Sequence, residues 1–291
     1  MKDTILYGDC RTALSAFLPK TARTCVTSPP YYGLRDYGGH ECQIGLEQSP
    51  EEYVQQLVEV FREVRNILTD DGTLWVNIGD GYYNYKSGTG EYAKQSFAKG
   101  RQDLPYNNPK RANKLKGYKD KDLIGAPWLF AFAMRNDGWW LRQDIIWSKP
   151  NPMPESVRDR CTKSHEYIFL FSKSRDYYFD VDSIKIPTVD NKSLKRKKSV
   201  WDVKLRPYKE AHFATYPSDL IEPCIKAGSQ VGDTILDPFM GSGTTAMVAK
   251  QLGRYYIGCE LHRDYGELIQ KRVPDEEVSQ NELNPLQDLL Y

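Results

Sequence analysis

The stretch from residue 234 to residue 252 constrains the fold more than any other part of the sequence. A short apolar run, Thr234-Ile235-Leu236-Asp237, predicts a buried strand, and a glycine-rich turn from Pro238 to Gly243 leads into a predicted helix over 244–252. A strand that passes through a tight glycine turn into a helix is typical of a βαβ unit. Predicted strands and helices also alternate along other parts of the chain, so the sequence predicts an α/β domain.

The remaining predicted elements follow from hydrophobic periodicity and helix start signals. The start of the longest helix is a capping box, in which Ser49 caps, Pro50 occupies the first turn and Glu52 closes the box. Asp71-Gly72 is expected to end that helix. The other predicted helices cover 12–18, 127–134 and 218–227, and the other predicted strands cover 5–7, 24–26, 73–78, 139–147, 165–171 and 254–260.

Composition excludes several classes of protein. The chain of 291 residues has 40% hydrophobic and 27% charged residues and a net charge of +1, which is typical of a globular domain and leaves nucleic-acid binding to local patches. The 6 cysteines and 4 histidines are scattered without a CxxC pair, so we expect neither a disulfide framework nor a metal site. The N-terminus shows no signal segment and no apolar run approaches membrane-spanning length, so a cytoplasmic protein without membrane contact is expected.

Two basic segments are the candidates for such patches. Residues 94–121 contain nine Lys and Arg against two Asp, within an inserted loop over 82–121 that is rich in Tyr, Gly, Asn and Lys. Residues 192–206 contain seven Lys and Arg and one Asp. Both segments are open to two interpretations, a solvated loop or a contact with DNA phosphates.

The glycine-rich turn indicates a nucleoside cofactor. Residues 241–246 fit the dinucleotide pattern G-x-G-x-x-A, and Glu260 ends the next predicted strand, where a carboxylate accepts hydrogen bonds from ribose hydroxyls. The turn alone does not decide between NAD and S-adenosylmethionine. The chain after Glu260 is too short for a second nucleotide-binding half, and Asp237 would repel a pyrophosphate but suits an ammonium group.

A second motif, Ser28-Pro29-Pro30-Tyr31, follows the predicted strand at 24–26. Proline has a fixed φ and no N–H, so the Pro29 carbonyl is available as an acceptor. Ser28 and this carbonyl can accept the two N–H groups of a base amine, while Tyr31 offers a stacking face. The alternative is a strand followed by a Pro-Pro turn.

Together the motifs resemble one family, the bacterial amino-methylating DNA methyltransferases of the permuted β class. In that class the Ser/Asp/Asn-Pro-Pro-Tyr motif precedes the Phe-x-Gly-x-Gly motif, as Ser28–Tyr31 here precedes Phe239-Met240-Gly241-Ser242-Gly243. The likeness extends to Gly8-Asp9, to residues 75–78 and 147–152, and to residues 212–217. It implies a Rossmann-like S-adenosylmethionine-dependent fold, with a mostly parallel seven-stranded sheet, one antiparallel strand and a circularly permuted motif order.

The resemblance also implies roles for individual residues. Asp237 and the turn that contains Pro238, Phe239, Gly241 and Gly243 would line the methionine and ribose part of S-adenosylmethionine. Glu260 would bind the ribose hydroxyls and Asp9 would lie near the adenine amine, although Asp9 is also a plain strand-end residue. The segment 212–218, with Phe213 and Ser218, would lie near the cofactor carboxylate.

For the substrate, the resemblance implies a base amine in double-stranded DNA. Serine at position 28 favours cytosine N4 over adenine N6, and a flipped base is required because the amine of a paired base is occupied. No cysteine adjoins Pro29 and Pro30, which disfavours methylation at carbon. The expected DNA contacts are Lys149, Arg158, Arg160, Lys195, Arg196, Lys197 and Lys198.

These expectations divide the chain into segments with separate tasks. Residues 1–81 and 122–173 form the catalytic half, 82–121 the inserted loop, 174–211 the target-recognition region, 212–274 the cofactor half and 275–291 a loose tail. A monomer or homodimer is expected, and a cognate restriction endonuclease is the other partner that this function admits. An NAD-dependent oxidoreductase and a non-catalytic DNA-binding module are the alternatives from other classes.

Overall fold

A computed structural model of the protein describes residues 2–34, 42–83, 115–205 and 216–273. In these residues one large sheet holds eight strands, which are β1 (Thr4–Tyr7), β2 (Ala22–Thr27), β3 (Leu68–Ile78), β4 (Trp140–Ser148), β5 (His165–Ser172), β8 (Val200–Asp202), β9 (Thr234–Asp237) and β10 (Tyr255–Glu260). Their order across the sheet is β1-β10-β9-β2-β3-β5-β4-β8. A separate two-stranded hairpin pairs β6 (Ile186–Pro187) with β7 (Leu194–Lys195).

Seven of the eight strands point the same way. Strand β5 pairs antiparallel with both β3 and β4, and every other pairing is parallel. The predicted α/β fold with a mostly parallel sheet and one antiparallel strand is therefore confirmed. The predicted number of seven strands is wrong, because β8 adds an eighth beside β4. Its three residues lie in a basic segment and are too few to show a hydrophobic period.

Helices cover both faces of the sheet. On one face α1 (Cys10–Ala13), α2 (Pro50–Ile67) and α3 (Ala126–Asn136) pack in one hydrophobic core, and on the other α4 (Ser218–Gly228), α5 (Thr244–Gln251) and α6 (Tyr265–Arg272) pack in a second. Successive residues of β3 alternate between the cores, with Leu74 and Val76 in the first and Trp75 in the second. This alternation is the period of two that a strand buried on both faces requires.

The largest differences from the predicted helices concern α1, α2 and α6. Helix α1 begins at Cys10 rather than at 12, because the Asp9 carboxylate accepts the Arg11 N–H at 3.0 Å and caps the first turn. Helix α2 ends at Ile67, before the predicted stop, since Leu68 already begins β3 and Asp71-Gly72 lies within that strand. Helix α6 was not predicted, as its sequence has a weak apolar face.

The strand directions bring one set of chain segments to a single edge of the sheet. The carboxyl ends of β1, β2, β3, β4, β9 and β10 meet there, and the antiparallel β5 places its first residues at the same edge. In open α/β sheets this edge is where ligands bind. The two sequence motifs follow β2 and β9, which are direct neighbours in the sheet.

Several predictions fall outside the described residues, namely most of the loop 82–121, the segment 206–215 with Phe213, and the tail 275–291. Within the described part of the chain, none of the helices has the length and apolar character needed to cross a membrane.

The predicted capping box of α2 gives a direct stability test. The Ser49 hydroxyl accepts the Glu52 N–H at 3.1 Å, and the Glu52 carboxylate accepts the Gln48 N–H at 3.1 Å. We expect Ser49→Ala to lower the free energy of unfolding by about 1 kcal/mol in urea denaturation, because one N–H at the helix start loses its partner. Ser49→Asp keeps an acceptor and should retain most of the stability; equal loss in both variants would contradict the role of the cap.

Candidate active site

A single cavity of about 260 Å³ lies at this edge of the sheet and receives both sequence motifs. One half is formed by the turns after β1, β9 and β10, and the other by the turn after β2 together with the ends of β3 and β4 and the start of β5. Of the residues predicted for catalysis or cofactor binding, it is lined by Asp9, Ser28, Pro29, Pro30, Tyr31, Pro238, Phe239, Gly241 and Glu260. Motifs that are far apart in the sequence therefore share one space.

The first half of the cavity is shaped by glycines. Gly8 has φ of +135° and Gly241 has φ of +54°, values that favour glycine. Nothing lies within 4 Å of a Cβ built on Gly8, and the nearest atom to one built on Gly241 is the Phe239 carbonyl oxygen at 3.9 Å. The missing side chains leave open space beside the backbone, which is what a ligand needs to approach closely.

Glu260 is the buried carboxylate of this half. Its oxygens accept the N–H groups of Gly241 at 2.7 Å and His262 at 2.8 Å, and so connect the glycine turn to the end of β10. Burial raises the pKa of Glu260 to about 7, against the lowering effect of these hydrogen bonds. The group therefore changes charge near neutral pH.

Asp9 lies beside these residues at the start of α1. Arg11 binds its carboxylate through both Nε and Nη2, and Arg11 Nη2 also donates to the Cys42 carbonyl at 3.2 Å. Asp9 thus lines the cavity and also caps helix α1.

Asp237 does not line the cavity. It is only 1% exposed, and its carboxylate accepts hydrogen bonds from Thr27 Oγ1 at 2.6 Å, Thr245 Oγ1 at 2.5 Å, Tyr216 OH at 3.1 Å and the Phe239 N–H at 3.0 Å. Burial raises the pKa of Asp237, while these donors favour the charged form. The structure places this acid behind the wall, where it joins β2, β9 and α5.

Gly243 also lies behind the wall. It caps α5 with φ of +79°, and a Cβ there would come within 3.1 Å of Ile269 Cγ1 on α6. The same helix supplies Arg272, whose Nη1 donates to Ser242 Oγ at 3.1 Å and Thr244 Oγ1 at 2.6 Å. Helix α6 thus supports the glycine turn from outside.

The second half of the cavity is built on Ser28–Tyr31. Tyr53 OH of α2 donates to the Pro30 carbonyl at 2.8 Å, which fixes the turn. Pro29 lines the cavity, and in the described part of the chain no donor reaches its carbonyl oxygen. Ser28 directly precedes Pro29 in the sequence and lines the same cavity.

Tyr31 is held by both its hydroxyl and its ring. The hydroxyl lies 2.6 Å from Glu166 Oε2 and 3.1 Å from Asn77 Oδ1, and Ser28 Oγ is 3.4 Å away. A Cβ on Gly79 would lie 2.5 Å from Tyr31 Cε2, so glycine at the end of β3 leaves the room for the ring. Sequence reasoning assigned Tyr31 only a stacking role and missed these contacts.

Glu166 and Lys149 form a partly buried ion pair at the cavity wall, with side chains 14% and 15% exposed. The Lys149 ammonium also lies 4.4 Å from the centroid of the Trp147 ring. Sequence reasoning assigned Lys149 to DNA phosphates and did not single out Glu166. The available signal was a charged residue at the start of an otherwise apolar strand.

The other predicted DNA contacts lie away from the cavity. Arg158, Arg196 and Lys198 are exposed, whereas Arg160 pairs with Glu155 and lies 3.7 Å from the centroid of the Tyr82 ring. Lys197 lies 4.8 Å from the centroid of the Trp201 ring. Lys195 ends the hairpin, and Ser218 is the first residue of α4 and does not line the cavity.

No group of three or more His, Cys, Asp or Glu in the described residues could hold a metal ion. The groups that the cavity offers to a ligand are the backbone of its glycine turns, acidic and hydroxyl side chains, and the Pro29 carbonyl as an acceptor.

Comparison with known proteins shows the family of the chain. The sequence profile of the N6/N4 DNA methylase family matches residues 22–271. The Type II methyltransferase M.SmaI of Serratia marcescens is 48% identical over 270 residues, which cover 92% of this chain and 90% of that protein. The Type II methyltransferase M.Cfr9I of Citrobacter freundii is 45% identical over 279 residues, or 95% and 89% of the two chains.

Solved structures agree with the fold. The cytosine-N4-specific PvuII DNA methyltransferase superposes with a TM-score of 0.68 at 19% identity, covering 95% of this chain and 88% of that one. TTHA0409, a DNA modification methylase from Thermus thermophilus described as putative and solved with S-adenosylmethionine, gives 0.62 at 23% identity, covering 94% and 98%. With the match over residues 22–271, the chain belongs to the N6/N4 DNA methylase family.

Proposed function

We propose that this protein transfers a methyl group from S-adenosylmethionine to N4 of a flipped-out cytosine, at a short site in double-stranded DNA. The observation that carries the proposal is the shared cavity, in which the Ser28–Tyr31 turn faces the Gly241 turn and Glu260. A base amine and a methyl donor bound in these halves would lie next to each other, and such proximity is a large part of catalysis.

The acceptors at Ser28 and Pro29 suit an amine. The nitrogen lone pair of a base amine is delocalised into the ring, which makes the amine a poor nucleophile. Two acceptors for its N–H groups favour a pyramidal nitrogen, direct the lone pair towards the cofactor half and stabilise the positive charge that develops. The Pro29 carbonyl and the Ser28 hydroxyl are adjacent groups of this kind.

The other half of the cavity fits the cofactor. Glycines at positions 8 and 241 leave open space, and Glu260 offers acceptors for ribose hydroxyls. We assign Glu260 to the ribose, Phe239 and Gly241 to the methionine side, and Asp9 to the neighbourhood of the adenine. When bound there, S-adenosylmethionine supplies an activated methyl group on its sulfonium.

The choice of cytosine rests on Ser28. Serine in this motif accompanies cytosine N4 methylation more often in the family, and the superposed PvuII enzyme is cytosine-N4-specific by name. Adenine N6 is the second product that the same acceptors can serve. The Type II relatives support a site-specific enzyme that methylates double-stranded DNA beside a restriction endonuclease.

We assign DNA contact to the exposed basic side chains, namely Arg158 in the loop after β4, and Arg196 and Lys198 in the region 174–211. Phosphate contacts of this kind position the duplex, while sequence reading requires side chains at the base edges.

The product test is nucleoside mass spectrometry of DNA from a methylation-deficient host that expresses the protein. We expect N4-methylcytosine, and loss of at least nine-tenths of it with Ser28→Ala because one amine acceptor is removed. Ser15→Ala, which changes an exposed serine in the turn after α1, is the matched control and should retain full activity. N6-methyladenine without N4-methylcytosine would contradict the cytosine proposal.

The charge of Glu260 gives a second test. Since the pKa of Glu260 is raised to about 7 in the free protein, the carboxylate that accepts ribose hydroxyls is fully present only above neutral pH. The affinity for S-adenosylmethionine should therefore rise about tenfold from pH 6 to pH 8, measured by calorimetry. Glu260→Gln should bind weakly at both pH values. Titration of the cofactor's own amine is common to both proteins, so an equal rise in the variant would refute the role of Glu260.

A further inference from the structure

Glu166 lines the cavity, but the proposed reaction gives it no role. Strand β5 is antiparallel to its neighbours, so its second residue lies at the edge where the other strands end. The carboxylate there accepts a hydrogen bond from Tyr31 OH at 2.6 Å and from Asn77 Nδ2 at 3.2 Å, and it pairs with the Lys149 ammonium. Each oxygen of this partly buried acid has a partner inside the cavity wall.

The hydrogen bonds around Glu166 have a fixed direction. A carboxylate can only accept and an ammonium can only donate, whereas a hydroxyl does either. Burial and the negative charge of Glu166 raise the pKa of Tyr31 well above 10, so its hydroxyl keeps its proton. The Glu166 carboxylate lies closer, at 2.6 Å, than Asn77 Oδ1 at 3.1 Å and is the stronger acceptor because it is charged, so the proton points to Glu166 and the Tyr31 oxygen remains an acceptor.

Because the Tyr31 oxygen is an acceptor, Ser28 is the donor in the hydrogen bond between the two hydroxyls. Its hydroxyl lies 3.4 Å from the Tyr31 oxygen and donates to it. With its only proton directed towards Tyr31, Ser28 Oγ presents lone pairs to the cavity. A base amine needs an acceptor at this point, and a hydroxyl that pointed its proton into the cavity would oppose the amine.

We propose that Glu166, acting through Tyr31, is the positioning residue that makes Ser28 a hydrogen-bond acceptor for the substrate amine. The ion pair with Lys149 and the hydrogen bond from Asn77 Nδ2 hold the carboxylate in place. The inference rests on the proposed methylation of a base amine, and it applies to cytosine N4 and adenine N6 alike.

The test is a double-mutant cycle with Glu166→Gln and Tyr31→Phe. Single-turnover transfer of the radioactive methyl group is measured on unmethylated phage genomic DNA, together with the affinity for S-adenosylmethionine and the melting temperature. We expect each single variant to slow transfer about 100-fold, with cofactor affinity within about threefold of the wild type. The double variant should be no slower than the slower single variant, because both changes break the same chain of hydrogen bonds.

Glu222→Gln is the control, since it removes a carboxylate from another Glu–Lys pair, on α4 outside the cavity, and should leave transfer unchanged. Transfer by Glu166→Gln within threefold of the wild type would overturn the proposal, as would losses that multiply in the double variant. A parallel fall of cofactor affinity and melting temperature would show a merely structural role.

If Glu166→Gln does not fold, Tyr31→Phe decides alone, because it removes only the phenolic oxygen. The methylated base is identified separately, from the product of the wild-type enzyme. If that base is not cytosine, the ratio of transfer rates between variant and wild type still tests the role of Glu166.

Discussion

The pairing of β2 with β9 is the constraint on which the site depends. The Ser28–Tyr31 motif follows β2 and the glycine turn follows β9, and these strands are direct neighbours although more than 200 residues separate Thr27 from Asp237. The Asp237 carboxylate binds Thr27 on the first strand, Thr245 on α5 and the Phe239 N–H of the glycine turn. Because a buried carboxylate is costly unless it is hydrogen-bonded, this arrangement favours a single relative position of the two motifs.

Elements outside the motifs complete the cavity. The antiparallel β5 delivers Glu166 to an edge where parallel strands deliver only their carboxyl ends, and helix α6 supports the glycine turn through Ile269 and Arg272. Asp237 and Arg272 hold the glycine turn from behind the cavity wall, whereas Glu260 both lines the cavity and binds the Gly241 N–H of that turn.

The sequence contained enough to predict the fold class and the start of α2. Hydrophobic period, capping residues and strand direction are local or topological, and each can be recognised without coordinates. It was not enough to show that Asp237 and Gly243 lie behind the cavity wall rather than on it, or that Lys149, predicted to bind DNA, pairs with Glu166 at that wall. Which side of a turn a side chain occupies depends on its partners from distant segments, such as Ile269 or Glu166. The eighth strand and α6 were missed because their apolar patterns are too short or too weak.

The most direct test of the proposed site is a crystal structure of the protein with S-adenosylmethionine. In that complex we expect the ribose hydroxyls to donate to Glu260 and the sulfonium methyl to point across the cavity to Ser28 Oγ and the Pro29 carbonyl. A cofactor bound outside this cavity, or one whose methyl group points away from Ser28, would contradict the proposed site.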